Sequence, residues 1–374
     1  MSLDIRLILN IITAFLLIFF SLFLLTRRGQ NRYSNILLAG FLIINAVPFI
    51  LTIFSILEIK LFVNLPTLFL SLFTLDFLMG PIIFFYTKSL AFRDFTFRKK
   101  DWIHLLPVIV FHFYLLFSII LKQFGSAPPR FTYWEITTTL IVSHMVLVIY
   151  AIKSVKVLKQ FTISIKNTFS FTEKINLNWL RFVLIGFGMI WLMIITNCLV
   201  RIIWRTPIPY LNDSITGANF LVSTIIIYYG LTQPKLFSSN EEKSKYLRST
   251  LNHKDAQLYI NRLKEFMETE KPHLIPSLTI NHLSEKLEIH PKHLSQLINE
   301  KYQQNFFDFI NSYRIEEAKR YLSKRSRNNF NISQVLYEVG FNSKATFNRA
   351  FTKHVGMTPR EYKKQSGMKV QAQH

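Results

Sequence analysis

Residues Glu338–Pro359 read EVGFNSKATFNRAFTKHVGMTP. Phe347, Ala350 and Phe351 recur at helical spacing and make an apolar face. Lys344, Ala345, Asn348, Arg349, Thr352 and Lys353 fall on the opposite, outer face. Just upstream, Ile332, Val335, Leu336 and Val339 form the apolar side of a shorter helix that Asn331 caps together with Gln334. Gly340 stands between the two, where a left-handed helix terminus wants a residue without a Cβ. Asn342 or Ser343 caps the helix that follows. A short helix, a glycine turn and a second helix with a basic, polar outer face make a helix-turn-helix.

The same pattern stands earlier in the chain. In SLTINHLSEKLEIHPKHLSQLINEKY (Ser277–Tyr302), Leu283 and Leu287 lie on one face of a short helix starting near Thr279. EIHP is a tight break, and Pro291 suits the first position of a second helix, where its missing N–H costs nothing. Leu294, Leu297 and Ile298 form the inner face of that helix, leaving Lys292, His293, Gln296 and Asn299 outside. Between the two motifs runs NFFDFINSYRIEEAKRYL (Asn305–Leu322), a longer helix with the stripe Phe306, Phe309, Ile310, Tyr313, Ala318 and Leu322. Its basic residues are read as Arg314, Lys319 and Arg320, followed by Lys324, Arg325 and Arg327.

Residues 275–364 resemble the DNA-binding domain of the AraC family of bacterial transcription regulators. The resemblance rests on HLSQLINEK, on FFDFINSYRIEEAKRYL and above all on GFNSKATFNRAFTKHVGMTPREYKK, in which Gly340-Phe341, Phe347, Phe351, Lys353, Gly356, Thr358-Pro359 and Tyr362 fall at the family's spacing. It implies that Pro291–Glu300 and Ser343–His354 are two reading helices entering successive major-groove segments of double-stranded DNA. Three positions depart from the family pattern: Ser284 and Leu336 stand where a small Ala is usual, and Gln303 where Gly is usual. These imply altered packing. Polar side chains early on a reading helix choose bases, while Lys and Arg bind phosphates. The base-reading candidates are therefore Lys292, His293, Gln296, Lys344, Ala345 and Asn348. The phosphate-binding candidates are Arg349, Lys353, Arg325 and Lys363.

The other end of the chain is of a different kind. It opens with LILNIITAFLLIFFSLFLL (Leu7–Leu25), and 50% of the 374 residues are hydrophobic. A membrane-spanning helix needs about 20 mostly apolar residues. Seven stretches qualify: 5–26, 35–57, 63–90, 102–121, 133–152, 179–203 and 214–231. The first is longer than a signal-peptide core and lacks a cleavage site, so it is expected to be retained. The loops after the first, third and fifth stretches hold 12 Lys and Arg, against 5 in the loops after the second, fourth and sixth. The positive-inside rule then sets the N-terminus outside and the C-terminus in the cytoplasm. The expected location is the bacterial inner (cytoplasmic) membrane, in contact with lipid. The arrangement looks like membrane-anchored regulators of the same family.

The fold expected is thus all-α: a seven-helix transmembrane bundle followed by a double helix-turn-helix domain. The divisions are 1–231 (membrane sensor), 232–274 (linker and juxtamembrane helix), 275–366 (DNA-binding domain) and 367–374 (tail). In the juxtamembrane helix, Leu258, Tyr259, Leu263 and Phe266 form a stripe, read either as a dimer contact or as a face packed on its own domain. The net charge of +22 divides into +13 over residues 1–240 and +9 over the shorter, far less apolar residues 241–374.

Asp76, in LFTLDFLMGP (Leu72–Pro81), is an intramembrane carboxylate and so a candidate signal site, with helix–helix pairing as the alternative. Asn45, Asn197 and Asn219 are read as helix–helix hydrogen bonders. The lone Cys198 is read as a small buried hydrophobe. No catalytic motif, phosphate-cradling glycine loop or metal-ligand spacing occurs, so neither an enzyme nor a cofactor is expected. The partners expected are double-stranded DNA, membrane lipid, an unidentified ligand and a second copy of the chain. The competing reading is a membrane receptor or transporter whose basic tail binds a protein or anionic lipid.

Overall fold

The structure, a computed structural model, describes residues 5–27, 32–59, 71–92, 95–123, 133–172, 175, 177–204, 210–232, 253–323 and 331–371. The architecture is all-helical: among the described residues there is no strand, only an isolated antiparallel bridge between Phe169 and Thr279. The chain divides into two compact units, one of residues 1–161 with 177–233, the other of residues 162–176 with 234–374.

In the first unit the helices are α1 (Ile5–Thr26), α2 (Arg32–Ile56), α3 (Asp76–Ala91), α4 (Leu106–Gln123), the larger part of α5 (Tyr133–Thr168), α6 (Asn178–Trp204) and α7 (Leu211–Thr232). A 3-10 stretch, Lys99–Leu105, leads into α4. Their surface is inverted relative to a water-soluble protein. On α1, Asn10, Thr13 and Ser21 are buried while Phe15, Phe19 and Leu22 are exposed. On α4 and α6, Phe113, Phe117 and Phe182 are exposed likewise. Exposed apolar area this extensive marks a surface for contact with lipid or with another protein. Polar side chains bond between helices instead: Asn45 donates to Ser223 at 3.5 Å and Asn197 to Asn212 at 2.8 Å. Asn219 turns back to its own helix and donates to the Ile215 carbonyl. Cys198 is buried.

Among the described residues, five helical stretches are long and apolar enough to cross a membrane: Ile5–Thr26, Arg32–Ile56, Lys99–Leu121, Trp134–Thr168 and Asn178–Trp204. The two further expected spans are represented by α3 and α7. Residues 63–70 of stretch 63–90 lie outside the described residues, leaving a helical turn at 71–74 and the 16-residue α3. In α7 the first turns are polar (LNDS). The fifth stretch differs from expectation in length. It was expected to end at residue 152 but continues to Thr168, because the sequence after it keeps helical spacing and holds no Gly or Pro. Lys153, Lys156, Lys159 and Lys166, read as loop charges, are therefore helical.

Asp76 is the first residue of α3 and is buried. Gly80, one turn on, faces Tyr150 of α5 so closely that a Cβ there would lie 2.8 Å from the ring.

The second unit contains α8 (His253–Thr269), α9 (Ile280–Leu287), α10 (Pro291–Tyr302), α11 (Phe306–Leu322), α12 (Ile332–Glu338), α13 (Lys344–Val355) and α14 (Pro359–Gln371). It has two apolar cores that share one helix. Phe306, Phe309 and Ile310 of α11 pack with Leu283, Leu287, Leu294 and Ile298. Ile315, Ala318 and Leu322, from the later turns of α11, pack with Val335, Leu336, Phe341, Phe347 and Phe351. Leu263 and Met267 of α8 belong to the first core, with Tyr259 and Phe266 packed against it, while Leu258 is exposed. Most of the α8 stripe therefore seals its own unit.

Candidate nucleic-acid interface

Both helix-turn-helix motifs are built by local rules. Thr279 caps α9 by accepting from the His282 N–H. The helix ends at Glu288 in the left-handed region (φ 56°), and His290 then caps α10 with Pro291 in its first turn. In the second motif Asn331 and Gln334 form a reciprocal capping box, at 2.7 and 2.9 Å. Gly340 takes φ 86°, and Ser343 caps α13. The turn needs glycine twice over, since a Cβ at 340 would also lie 2.7 Å from the Leu274 carbonyl oxygen.

On α10, Leu294, Leu297 and Ile298 are buried, Lys292, Gln296 and Asn299 are exposed, and His293 is half-buried. Gln296 donates to Glu300 at 2.8 Å, and the His293 ring lies 5.5 Å from that of His290. On α13, Phe347 and Phe351 are buried, Lys344, Ala345 and Arg349 are exposed, and Asn348 is half-buried. Arg349 folds along its own helix, donating to the Ala345 carbonyl at 3.3 Å. Each motif thus turns its candidate base readers away from its own core, on the first turns of a capped helix. There the unpaired N–H groups add positive potential.

The phosphate candidates stand differently. Lys353 is exposed but paired with Asp308 of α11 at 2.8 Å, a bond that ties α13 to the first turn of α11. Lys363 is half-buried on α14. Arg325 lies outside the described residues. His354, in the last turn of α13, has its pKa lowered by burial first and by neighbouring Lys353 second.

Of the departures from the family pattern, Ser284 and Leu336 are both buried, one in each motif. Gln303 adopts φ 54°, the left-handed conformation that a Gly there would take without strain.

One of the three basic residues read on α11 is buried. Arg314 is 1% exposed. Its Nε donates to the His273 carbonyl at 2.7 Å, and its Nη2 donates to that of Ile275 at 2.8 Å. Its guanidinium also lies 5.5 Å from the centre of the Phe341 ring. The sequence did hold a signal for this. Arg314 follows Ile310 and precedes Ala318 by four residues each, so it sits on the buried stripe of α11. His273 is buried as well, and desolvation lowers its pKa to about 4 against the opposing pull of Glu317.

Residues 283–365 match a family model described as a helix-turn-helix domain. Over 91 residues the chain is 36% identical to an uncharacterized HTH-type transcriptional regulator, YobQ, of Bacillus subtilis (strain 168). That match covers 24% of this chain and 36% of the relative, so the chain spans about a third of the length of the curated relative it matches. A solved structure of a protein of unknown function from Listeria innocua is 28% identical over 28% of this chain and 94% of that one, with a TM-score of 0.25. The capped helix pairs, their paired cores and the family match agree that the C-terminal part of this chain contains a helix-turn-helix domain.

Proposed function

We propose that the chain is a membrane-anchored transcription regulator of AraC type that reads double-stranded DNA through α10 and α13. The observation that carries this reading is the pair of capped helices, each with a polar outer face, on the shared scaffold of α11. In it Lys292, His293, Gln296, Lys344, Ala345 and Asn348 touch base edges, and Arg349, Lys353, Arg325 and Lys363 hold phosphates. The anchor is a seven-span bundle with the N-terminus outside and residues 275–366 in the cytoplasm, supported by the apolar outer surface of the helices and the Lys/Arg bias of the loops. Asp76 is the site at which an external signal would bear on the bundle, and the chain acts as a homodimer.

Footprinting with the full chain in lipid nanodiscs, on duplexes selected from a random library, tests the reading. Sequence-preferring protection is expected. Gln296→Ala should relax preference at one position of the site, with a cost of about 1–3 kcal/mol for the preferred base. Arg349→Ala should weaken binding to all sequences alike and lower the slope of log affinity against log salt by about 1. Salt-dependent binding without any sequence preference would instead favour a basic tail for lipid or protein, and would sink the proposal.

A further inference from the structure

Beyond residue 168 the chain leaves α5 and meets the segment that precedes the first helix-turn-helix motif. Residues 162–176 belong to the unit that holds both motifs, although they lie in sequence between α5 and α6. Phe169 makes the isolated antiparallel bridge with Thr279, the cap of α9. Ser170, 1% exposed, donates its N–H to the Leu278 carbonyl at 3.1 Å and its hydroxyl to the same oxygen at 2.7 Å. In return Arg314 donates from Nη1 to the Ser170 carbonyl at 3.1 Å and from Nη2 to its hydroxyl oxygen at 3.2 Å.

The donor count of Arg314 shows what this segment supplies. A guanidinium has five N–H groups in a fixed fork. Here they meet His273, Ile275, Asn311 and, twice, Ser170. Removing Ser170 would strip a buried cation of two acceptors, which is costly in a site closed to water. The effect would not stay local. Arg314 stands on α11, which both cores share. The carbonyls of His273 and Leu274 lie where a Cβ on Gly340, the turn of the second motif, would have to go. Asn342 in that turn donates to the Pro276 carbonyl at 3.4 Å. Residues 273–279 are therefore shared by the segment after α5, by α11 and by both motifs.

We propose that this is a docking groove of the DNA-reading unit, lined by residues 275–279 and Arg314, whose occupant is Phe169-Ser170-Phe171 of the chain's own loop between α5 and α6. Its occupancy sets the mutual placement of α10 and α13. The last clause rests on the DNA-reading function proposed above; the docking itself does not. The loop that fills the groove is the direct continuation of α5, one of the apolar helices. The unit that reads DNA is thus completed by a piece of the chain lying between two membrane-spanning candidates.

The test uses the full chain in lipid nanodiscs, with amide hydrogen exchange and affinity for duplexes selected by the wild-type protein from a random library. Ser170→Pro removes the N–H and the hydroxyl together; Ser170→Thr keeps both. Ser170→Pro is expected to speed exchange at residues 273–280 and 311–315 and to weaken affinity at least about tenfold, as expected for loss of hydrogen bonds to a buried charge. Ser170→Thr should leave both close to wild type. Unchanged exchange in Ser170→Pro would overturn the docking. Faster exchange with unchanged affinity would overturn its bearing on DNA reading. If the wild type selects no preferred sequence, the regulator reading falls, and the exchange arm alone still decides the docking. Should Ser170→Pro fail to fold, Phe169→Cys with Thr279→Cys gives a second readout. A rapid intramolecular disulfide supports the groove, and its absence under oxidation refutes it.

Discussion

Single residues in the helix-turn-helix unit carry identifiable strain. Gln303 occupies a left-handed conformation at the end of α10, where its N–H donates to the Asn299 carbonyl and its side chain to that of Glu300. Gln303→Gly should raise stability by about 1 kcal/mol, readable as a higher urea midpoint at constant slope. His273 makes a pH prediction. Burial holds its folded pKa at about 4, below the ordinary 6.5, so the unfolded chain binds a proton that the folded chain refuses. Stability is therefore fully present above pH 6.5, falls as pH drops from there to about 4, and is level below that as far as this group is concerned. His273→Gln should flatten that slope in urea titrations across the same window, since its backbone carbonyl still serves Arg314. At this scale the sequence was legible wherever a local rule applied: Pro291, Gly340 and the Asn331 cap each do what their chemistry suggests. The burial of Arg314 was less legible: it shares the apolar stripe of α11, but all of its acceptors except Asn311 lie 39 to 144 residues away.

At the level of elements, the second motif depends on a seven-residue helix, α12, too short to hold itself by propensity. Its capping box and its buried Val335 and Leu336 hold it in place. Asn331→Ala should destabilise the unit by about 1 kcal/mol, and the loss should appear as faster amide exchange in α12 before α9 or α10. The extended end of α5 was the largest departure from the expected elements. A window set by the thickness of a bilayer stops at residue 152, whereas helix formation stops only where hydrogen bonding finds a better partner. That partner is the Leu278 carbonyl, which takes the Ser170 N–H. Periodicity sees the first condition and is blind to the second.

For the whole molecule, the orientation proposed from loop charges predicts a labelling pattern in intact cells. With Cys198 replaced by Ser, a cysteine at Arg28 or Lys99 should resist a membrane-impermeant thiol reagent, while one at Arg205 should react. The reverse pattern would overturn the orientation. The all-helical class, the apolar helices and the two helix-turn-helix motifs follow from the sequence alone. Each rests on spacing within about 20 residues, and over that range the chain's own periodicity is the dominant force. What only the tertiary structure decided is long-range. It split α11 between two cores, buried Arg314 inside the helix-turn-helix unit, and brought Ser170 from between two apolar helices to satisfy it. The reason is the cost of leaving a polar group dry and unpaired. A buried guanidinium must find five acceptors wherever the fold can supply them, and no local pattern records where those are.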